Sequence, residues 1–543
     1  MADATVPNAL VCLCGGTFAL AESGASRVAG MAGPSANERM LAGVAAASVA
    51  LGVAQVVSIP FGTRADARTA VGSAVIDITP GPIKEWAIQA LGPLDKPFLA
   101  IVVLVVIATL AALAGTLETQ RRPLGSAVIA AAGVLGCAAV LSRQGGTLLD
   151  TIPTIAGAAC GVLLLRVLMR RFWPDAEDPN GSGDQSDAGR RRLVMLGLLG
   201  FGVVTGVTGA VLVRLAHSVA ADRKAFTLPQ PGTTAPPIPA DVKPKGVALP
   251  DFITPSADFY RINTALVVPQ LSRGDWRLRI HGMVDREISY TFDDLTQFDV
   301  VETVATLTCV SNPVGGNLIS TGIWTGYRIA DLLSAAGVHK DADMVLSTSI
   351  DGFTAGTPVQ TLTDGREALL ALGLNGQPLP VEHGYPARLV VPGLYGYVSA
   401  TKWVVELELT RFDRAKAYWT RQGWAARAPI KTESRIDVPK RGQKVPVGPV
   451  VFGGVAWAQN RGVRAVEVRI GDGGWQRAEL GASYSNATWR LWSLPWQAKS
   501  PGTHTITVRA IDNTGAVQTE DRADPVPDGA TGWHTVTFTV VDK

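Results

Sequence analysis

Cysteine is scarce in this chain, with five among 543 residues. Cys12 and Cys14 lie near the N-terminus, Cys137 and Cys160 inside apolar runs, and Cys309 alone in the long polar remainder, which excludes a disulfide scaffold there. No CxxC or CxxCH spacing occurs, so no motif marks an iron–sulfur cluster or a covalently attached haem. Histidine is almost as rare: of six, only His217 adjoins an apolar run, too few for a haem held between facing helices. Charge is low as well. Charged residues make up 17% of the chain and the net charge is +3, which argues against a nucleic-acid role.

The chain is rich in hydrophobic sequence instead. Mean hydropathy is +0.21, and a bilayer span needs about 20 mostly apolar residues. Five segments qualify, approximately 40–60, 97–117, 124–142, 151–169 and 193–213, so the two termini are expected on opposite sides. Arginines crowd the loops at Arg121-Arg122, Arg170-Arg171 and Arg190-Arg191-Arg192, whereas the loop near Arg143 carries little charge. The positive-inside rule places the arginine loops and the N-terminus in the cytoplasm, and everything after about residue 214 outside. Residues 62–96 are then external although they hold Arg64, Arg68, Lys84 and Lys96. Within them, Thr79-Pro-Gly-Pro-Ile-Lys-Glu-Trp86 reads as an interfacial helix start and a candidate quinone contact. Residues 8–20 are apolar without a basic start, so the first span is expected to serve as the insertion signal. Gly189-Arg-Arg-Arg-Leu-Val194 reads equally as a positive-inside anchor or as a signal resembling the twin-arginine type.

These features predict a multi-domain chain: a cytoplasmic tail over 1–39, an all-α five-helix membrane domain over 40–217, a proline-rich linker over 218–250, an α+β domain over 251–425, and a β-sandwich over 426–543. Residues 174–189 are acidic and small, which suits a flexible cytoplasmic loop. Seven prolines between 229 and 250 predict an extended, semi-rigid tether. Strands then alternate with stretches read as helical, Ile329–Ala335 and Arg366–Ala371. Beyond about 430 the period becomes two, as in Val466, Val468 and Ile470, in Ile506 and Val508, and in Val536, Phe538 and Val540, with turns at 471–474 and 512–515. Such alternation predicts an antiparallel sandwich.

Cys309 sits in Thr306-Leu-Thr-Cys-Val-Ser-Asn312, and a thiolate suits a soft or high-valent metal centre if it does not simply fill a core. Five patches resemble the sulfite oxidase family of molybdenum enzymes: Phe259-Tyr-Arg-Ile-Asn263 with Trp276–Gly282; Cys309–Asn312 with Gly322–Gly326; Asn375–Arg388 continuing to Lys402-Trp403; Tyr418-Trp419 with Gly423-Trp424; and Ala456-Trp457 with Gly473–Trp475 and Trp489–Trp492. The resemblance runs from about residue 255 to the C-terminus. It implies a molybdenum–molybdopterin cofactor with Cys309 as the protein ligand. The cofactor would lie against Tyr260, Arg261, Asn263 and Asn312, its phosphate held by His383, Arg388 and Lys402, cations and donors suited to an oxyanion. By the same resemblance, Arg261 and Arg461 would position substrate, and the sandwich would be an immunoglobulin-like dimerisation domain.

Two positions depart from the family pattern. Val314 replaces an arginine two residues after Asn312, and Leu372 replaces a tyrosine before Asn375-Gly376. Loss of those donors leaves a small dianion short of partners. The expected function is therefore extracytoplasmic two-electron oxygen-atom transfer on a small oxyanion or oxide, with sulfite oxidation and reduction of S-oxides or N-oxides both open. A non-catalytic, membrane-anchored binding module is the alternative from another class. Electrons would pass to or from a separate cytochrome or quinone-linked partner.

Overall fold

The computed structural model describes residues 36–542 apart from 81, 82, 84, 85, 88, 89, 92, 93, 144, 145 and 174–187. Most of the expected cytoplasmic tail, with Cys12 and Cys14, and most of the acidic loop lie outside the described residues.

The N-terminal region is helical: α1 (Ala36–Val57), α2 (Ala67–Ile78), α3 (Asp95–Leu117), α4 (Leu124–Leu141), α5 (Ile152–Phe172) and α6 (Ala188–Ala216). Five of these helical stretches are long and apolar enough to cross a membrane, coinciding with the five hydrophobic runs. α1 is central because small residues let its neighbours come close. A Cβ on Gly43 would stand 2.0 Å from the Ala111 carbonyl of α3, and one on Gly202 would strike Ser48 from α6. Gly157 of α5 meets the Ala50 carbonyl in the same way. The basic loops gather at one end, where Gln120 reaches the Trp173 carbonyl and Arg191 pairs with Glu38 at 3.5 Å. The opposite end carries α2, which lies in the stretch read from sequence only as a long loop. Asp66 caps it by accepting from the Arg68 N–H at 3.0 Å.

The proline-rich segment is extended, as its composition implies, but it lies along the next region and does not stand off as a spacer. After α7 (Ala220–Ala225), Thr233 bridges Val301 in parallel, Arg223 donates to the Leu379 and Pro378 carbonyls at 2.7 Å, and Val219, Val242 and Leu249 are buried. Prolines preset the extended backbone, and the intervening valines and leucine supply the adhesion.

The mixed α/β region holds two sheets. One runs in the order β2 (Ile288–Thr291), β1 (Arg277–Gly282), β10 (Val404–Thr410), β5 (Met344–Ser349), β6 (Thr354–Pro358), with β1 and β10 parallel. The other is β3 (Val300–Thr308), β4 (Ile319–Arg328), β7 (Leu369–Leu374), β8 (Gln377–Pro378), with β9 (Arg388–Val390) also on β7. Helix α8 (Ile329–Ala336) forms where its apolar spacing places it and ends on Gly337, whose φ of 71° suits glycine. The second half of the other stretch read as helical, from Leu369, is strand β7. It is buried along its whole length between β4 and β9, so tertiary pairing overrides the helix preference of Leu and Ala. Short helices α9 (Val359–Thr363) and α10 (Tyr418–Arg421) complete the region.

The C-terminal region is β-rich. Its sheets run β11 (Glu433–Val438), β13 (Gly448–Trp457), β17 (Arg490–Ala498), β16 (Glu479–Leu480), and β12 (Lys444–Pro446), β19 (His534–Val541), β18 (Gly502–Asp512), β14 (Val463–Ile470), β15 (Gln476–Arg477). The period-two residues Val466, Val468, Ile506, Val508, Val536, Phe538 and Val540 share one core with Phe452 and Trp492 of the facing sheet. Pairing is antiparallel except between β12 and β19.

Candidate active site

Cys309 follows the last residue of β3 and opens the loop to β4. Its N–H donates to the Leu318 carbonyl at 2.9 Å, and the Cys309 carbonyl accepts from Asn312 N–H at 3.1 Å. Asn312 then folds the loop on itself, its Oδ1 accepting from Leu318 N–H at 2.8 Å. The asparagine expected at the cofactor thus holds the loop carrying the thiol, while its buried Nδ2 has no hydrogen-bond partner. Cys309 itself is half-buried and faces a cavity of about 370 Å³.

At the base of that cavity the structure brings together Tyr260, Asn263, Arg388 and Lys402. β9 positions Arg388, which is 3% exposed. Its guanidinium donates only to carbonyls, of Leu389 (3.3 Å), His383 (3.2 Å) and Ala400 (3.4 Å), and lies 5.3 Å from the Trp324 ring. Burial holds its pKa down to about 10. Lys402 bridges Arg388 across the backbone and donates to the Ile262 carbonyl at 3.0 Å and to Asn263 Oδ1. Desolvation, followed by the nearby Arg388, pushes its ammonium well below the usual lysine range. Among the described residues no carboxylate pairs with either cation.

His383 stands beside them, 4% exposed, with Nδ1 lacking a partner and its ring edge-on to Phe259 at 5.7 Å. Burial and then Arg388 lower its pKa to about 3, so the imidazole is neutral. Burial raises the Tyr260 hydroxyl far above the ordinary phenol range, which keeps its proton on. Gly396 also lines the cavity, near Ala400, Tyr260 Oη and the Thr308 carbonyl.

Four candidate residues are off the cavity lining: Asn312 and His383, placed above, and the two arginines proposed for substrate. Arg261 is exposed and does not line the cavity, although its charge is felt by His383 and Lys402. Arg461 is also outside the lining: its guanidinium donates to Asp512 at 2.9 Å, Thr432 Oγ1 at 2.9 Å and the Ile430 carbonyl at 3.3 Å. Leu372 is in the hydrophobic core.

The remaining walls were foreseen only in part, through Thr79–Trp86 and the patch of Tyr418, Trp419 and Trp424. Phe353, Tyr397, Tyr418, Trp419 and Trp424 line one side, in edge or tilted contacts of 5.2–6.1 Å. The helical region supplies another, with Val75, Ile76, Ile83, Trp86, Leu91 and Leu99. Lys96 fastens that wall by donating to the Ala265 carbonyl at 2.7 Å. A second, more polar cavity of about 640 Å³ adjoins it and shares Ile76, Asp351, Phe353 and Tyr418.

Residues 265–419 match the model described as "Oxidoreductase molybdopterin binding domain". Rat mitochondrial sulfite oxidase is 30% identical over 345 residues, 53% of this chain and 62% of that protein. An uncharacterized oxidoreductase of Bacillus subtilis, YuiH, is 31% identical over 174 residues, 30% of this chain and 84% of its own length. The chain belongs to the sulfite oxidase family of molybdopterin-dependent oxidoreductases. Its match spans less than two thirds of the rat enzyme's length. Among solved structures, the sulfane dehydrogenase SoxCD of Paracoccus pantotrophus aligns with a TM-score of 0.47 at 25% identity, covering 53% of this chain and 82% of that one.

The residues fit the family's cofactor. A buried guanidinium and an ammonium without a carboxylate, beside an imidazole nitrogen that lacks a partner, form a donor set that a phosphate satisfies. The thiol of Cys309 opens onto the same cavity.

Proposed function

We propose that this protein is a membrane-anchored molybdenum-cofactor oxidoreductase that carries out two-electron oxygen-atom transfer on the extracytoplasmic face. Cys309 is the protein ligand of the metal, and Arg388, Lys402 and His383 hold the cofactor's phosphate. Tyr260 and Asn263 flank the pterin. When bound, the cofactor supplies the two-electron oxygen-atom chemistry. The observation that carries this reading is buried Arg388 beside Lys402, neither paired with a carboxylate among the described residues, in the cavity that Cys309 enters.

The chain's own contribution is orientation and proton bookkeeping. Tyr260 keeps its proton across working pH and acts as a neutral donor, and neutral His383 offers one nitrogen as donor or acceptor. The Asn312 bond to Leu318 fixes the loop that aims Cys309. The orientation rests on the arginine loops clustering at the end of the helical region opposite α2. The C-terminal region is read as an immunoglobulin-like sandwich through which two copies pair, and the segment ends proposed from sequence stand as its domain limits.

The natural substrate is a small oxyanion or oxide. Aromatic and aliphatic cavity walls, with Arg461 bonded to Asp512 and Arg261 off the lining, favour an S-oxide or N-oxide bearing apolar groups as a second reading beside sulfite. Purified full-length protein, expressed in a cofactor-competent host, should contain about one molybdenum per chain and turn over either sulfite or members of an oxide panel. Cys309→Ala should lower turnover by at least about a hundredfold, more than loss of an outer-sphere partner. Full turnover in that variant, or wild-type protein without molybdenum, would refute the assignment.

A further inference from the structure

The cavity has two chemically different halves. One, from the α/β region, is cationic and polar around Arg388, Lys402 and Asn263; the other is apolar and contributed by the segment from α2 to α3. That second wall also opens outward. Ile83 is 54% exposed, Trp86 63% and Phe98 50%, and each also lines the cavity. From Phe98 the exposed apolar surface continues along α3 through Ile101, Val102 and Val105. Ile83, Trp86 and Phe98 thus link the cavity lining to the exposed apolar face of α3, which a bilayer would cover.

We infer that this apolar half is the docking site for a lipid-soluble quinone, the two-electron partner of the proposed reaction; the inference rests on that reading. A quinone head is a flat, weakly polar ring on an apolar tail. Ligand sites of that kind are mostly apolar and aromatic with a few polar groups to fix orientation. Trp86, Trp419 and Trp424 supply faces and edges for the ring, while Lys96 brings a donor to a carbonyl oxygen. The stoichiometry agrees. Oxidation of a substrate by transfer of one oxygen from water releases two electrons and two protons, and the quinone takes up both pairs as it becomes quinol. With an oxide substrate the same balance runs backward: quinol gives two electrons and two protons, and the oxide's oxygen leaves as water.

The test uses full-length holoprotein in lipid nanodiscs with an azido-substituted short-chain benzoquinone. Photolabelling should mark peptides containing residues 75–99 and 418–424, and excess decylubiquinone should abolish the label. Leu91→Trp and Leu99→Trp, which fill the apolar half from two directions, should each weaken decylubiquinone binding at least tenfold, read by quenching of tryptophan fluorescence against empty nanodiscs. Label confined to the outer faces of α4 and α5, or binding unchanged in both variants, would overturn the site. Molybdenum content and ferricyanide-linked turnover report on the parent function separately. Protein that turns over with ferricyanide yet neither binds nor exchanges electrons with decylubiquinone overturns the docking site alone; protein with no molybdenum-linked turnover overturns both.

Discussion

The α/β region meets its two neighbours differently. Toward the C-terminal sheets it is sealed by hydrogen bonds: Gln459 Nε2 donates to the Thr306 carbonyl at 3.3 Å and to Thr308 Oγ1 at 3.2 Å, Trp489 N–H to Thr306 Oγ1 at 2.9 Å, and Arg435 to the Gly316 carbonyl at 2.9 Å. These bonds converge on the strand and loop that carry Cys309. Toward the helical region contact is looser, with Lys96 as a clasp and two adjoining cavities left between the surfaces. One seam holds the loop that carries Cys309, and the other leaves the cavity beside it. Rigidity behind a site and space in front of it are separate requirements, and this chain assigns them to different partners of one domain.

The open seam should respond most strongly to losing a cation. Lys402→Met keeps the length of the side chain and removes the charge, so cofactor retention should fall by about 10–100-fold, the worth of one charge-assisted bond of about 1.5–3 kcal/mol. Stability should move the opposite way in cofactor-free protein. Because the folded pKa of Lys402 lies below its unfolded value, the unfolded chain binds the proton more readily, and folding is penalised at every pH below the unfolded pKa. Removing the group relieves that penalty. Cofactor-free Lys402→Met should therefore melt no lower than cofactor-free wild type, measured side by side by calorimetry, while its pterin content drops. A variant that lost stability and kept its pterin would mean that Lys402 belongs to the scaffold.

The sealed seam should respond in stability and not in substrate affinity. Arg461→Ala leaves the buried Asp512 carboxylate without its 2.9 Å partner. Since Arg461 is one-third exposed, water compensates in part and the cost is set at about 1–2 kcal/mol, a fall in melting temperature of about 2–6 °C. KM for whichever substrate is turned over should change less than twofold. A large rise in KM at unchanged melting temperature would restore Arg461 to the substrate site.

The same contrast explains what the sequence disclosed. Cys309, Arg388, Lys402 and His383 lie in two short stretches, 306–312 and 375–403, that carried the resemblance, and the structure brings them near one another. The apolar wall was legible only in Thr79–Trp86, read as a candidate quinone contact. Ile76, Leu91 and Leu99 look the same in one dimension whether they face lipid, a helix or a ligand, and only the packing of α2 and α3 onto the α/β region distinguishes these cases. β7 was misread for a related reason: a strand buried on both faces loses its period-two signature, and Leu and Ala then suggest helix. Arg461 was expected at the substrate by resemblance alone, and its observed partners Asp512 and Thr432 are distant from it in sequence.

The smallest expected effect tests how completely the sealed seam excludes water. Glu433 begins β11, is 4% exposed, and has a side-chain oxygen without a hydrogen-bond partner. Burial raises its carboxyl to about 8, with Lys431 acting the other way. Between pH 4.5 and 8 the folded protein then holds a proton that the unfolded chain has released, so this group's contribution to stability declines as pH rises through that window. His534, held down to about 4, acts in reverse, its contribution falling as pH drops below about 6.5. Glu433→Gln keeps the shape without the charge and leaves His534 in place. Subtracting the two melting profiles therefore isolates the carboxyl. The variant should match wild type near pH 5 and melt higher at pH 8.5, and parallel profiles across that range would mean that water reaches Glu433 and that this seam is as open as the other.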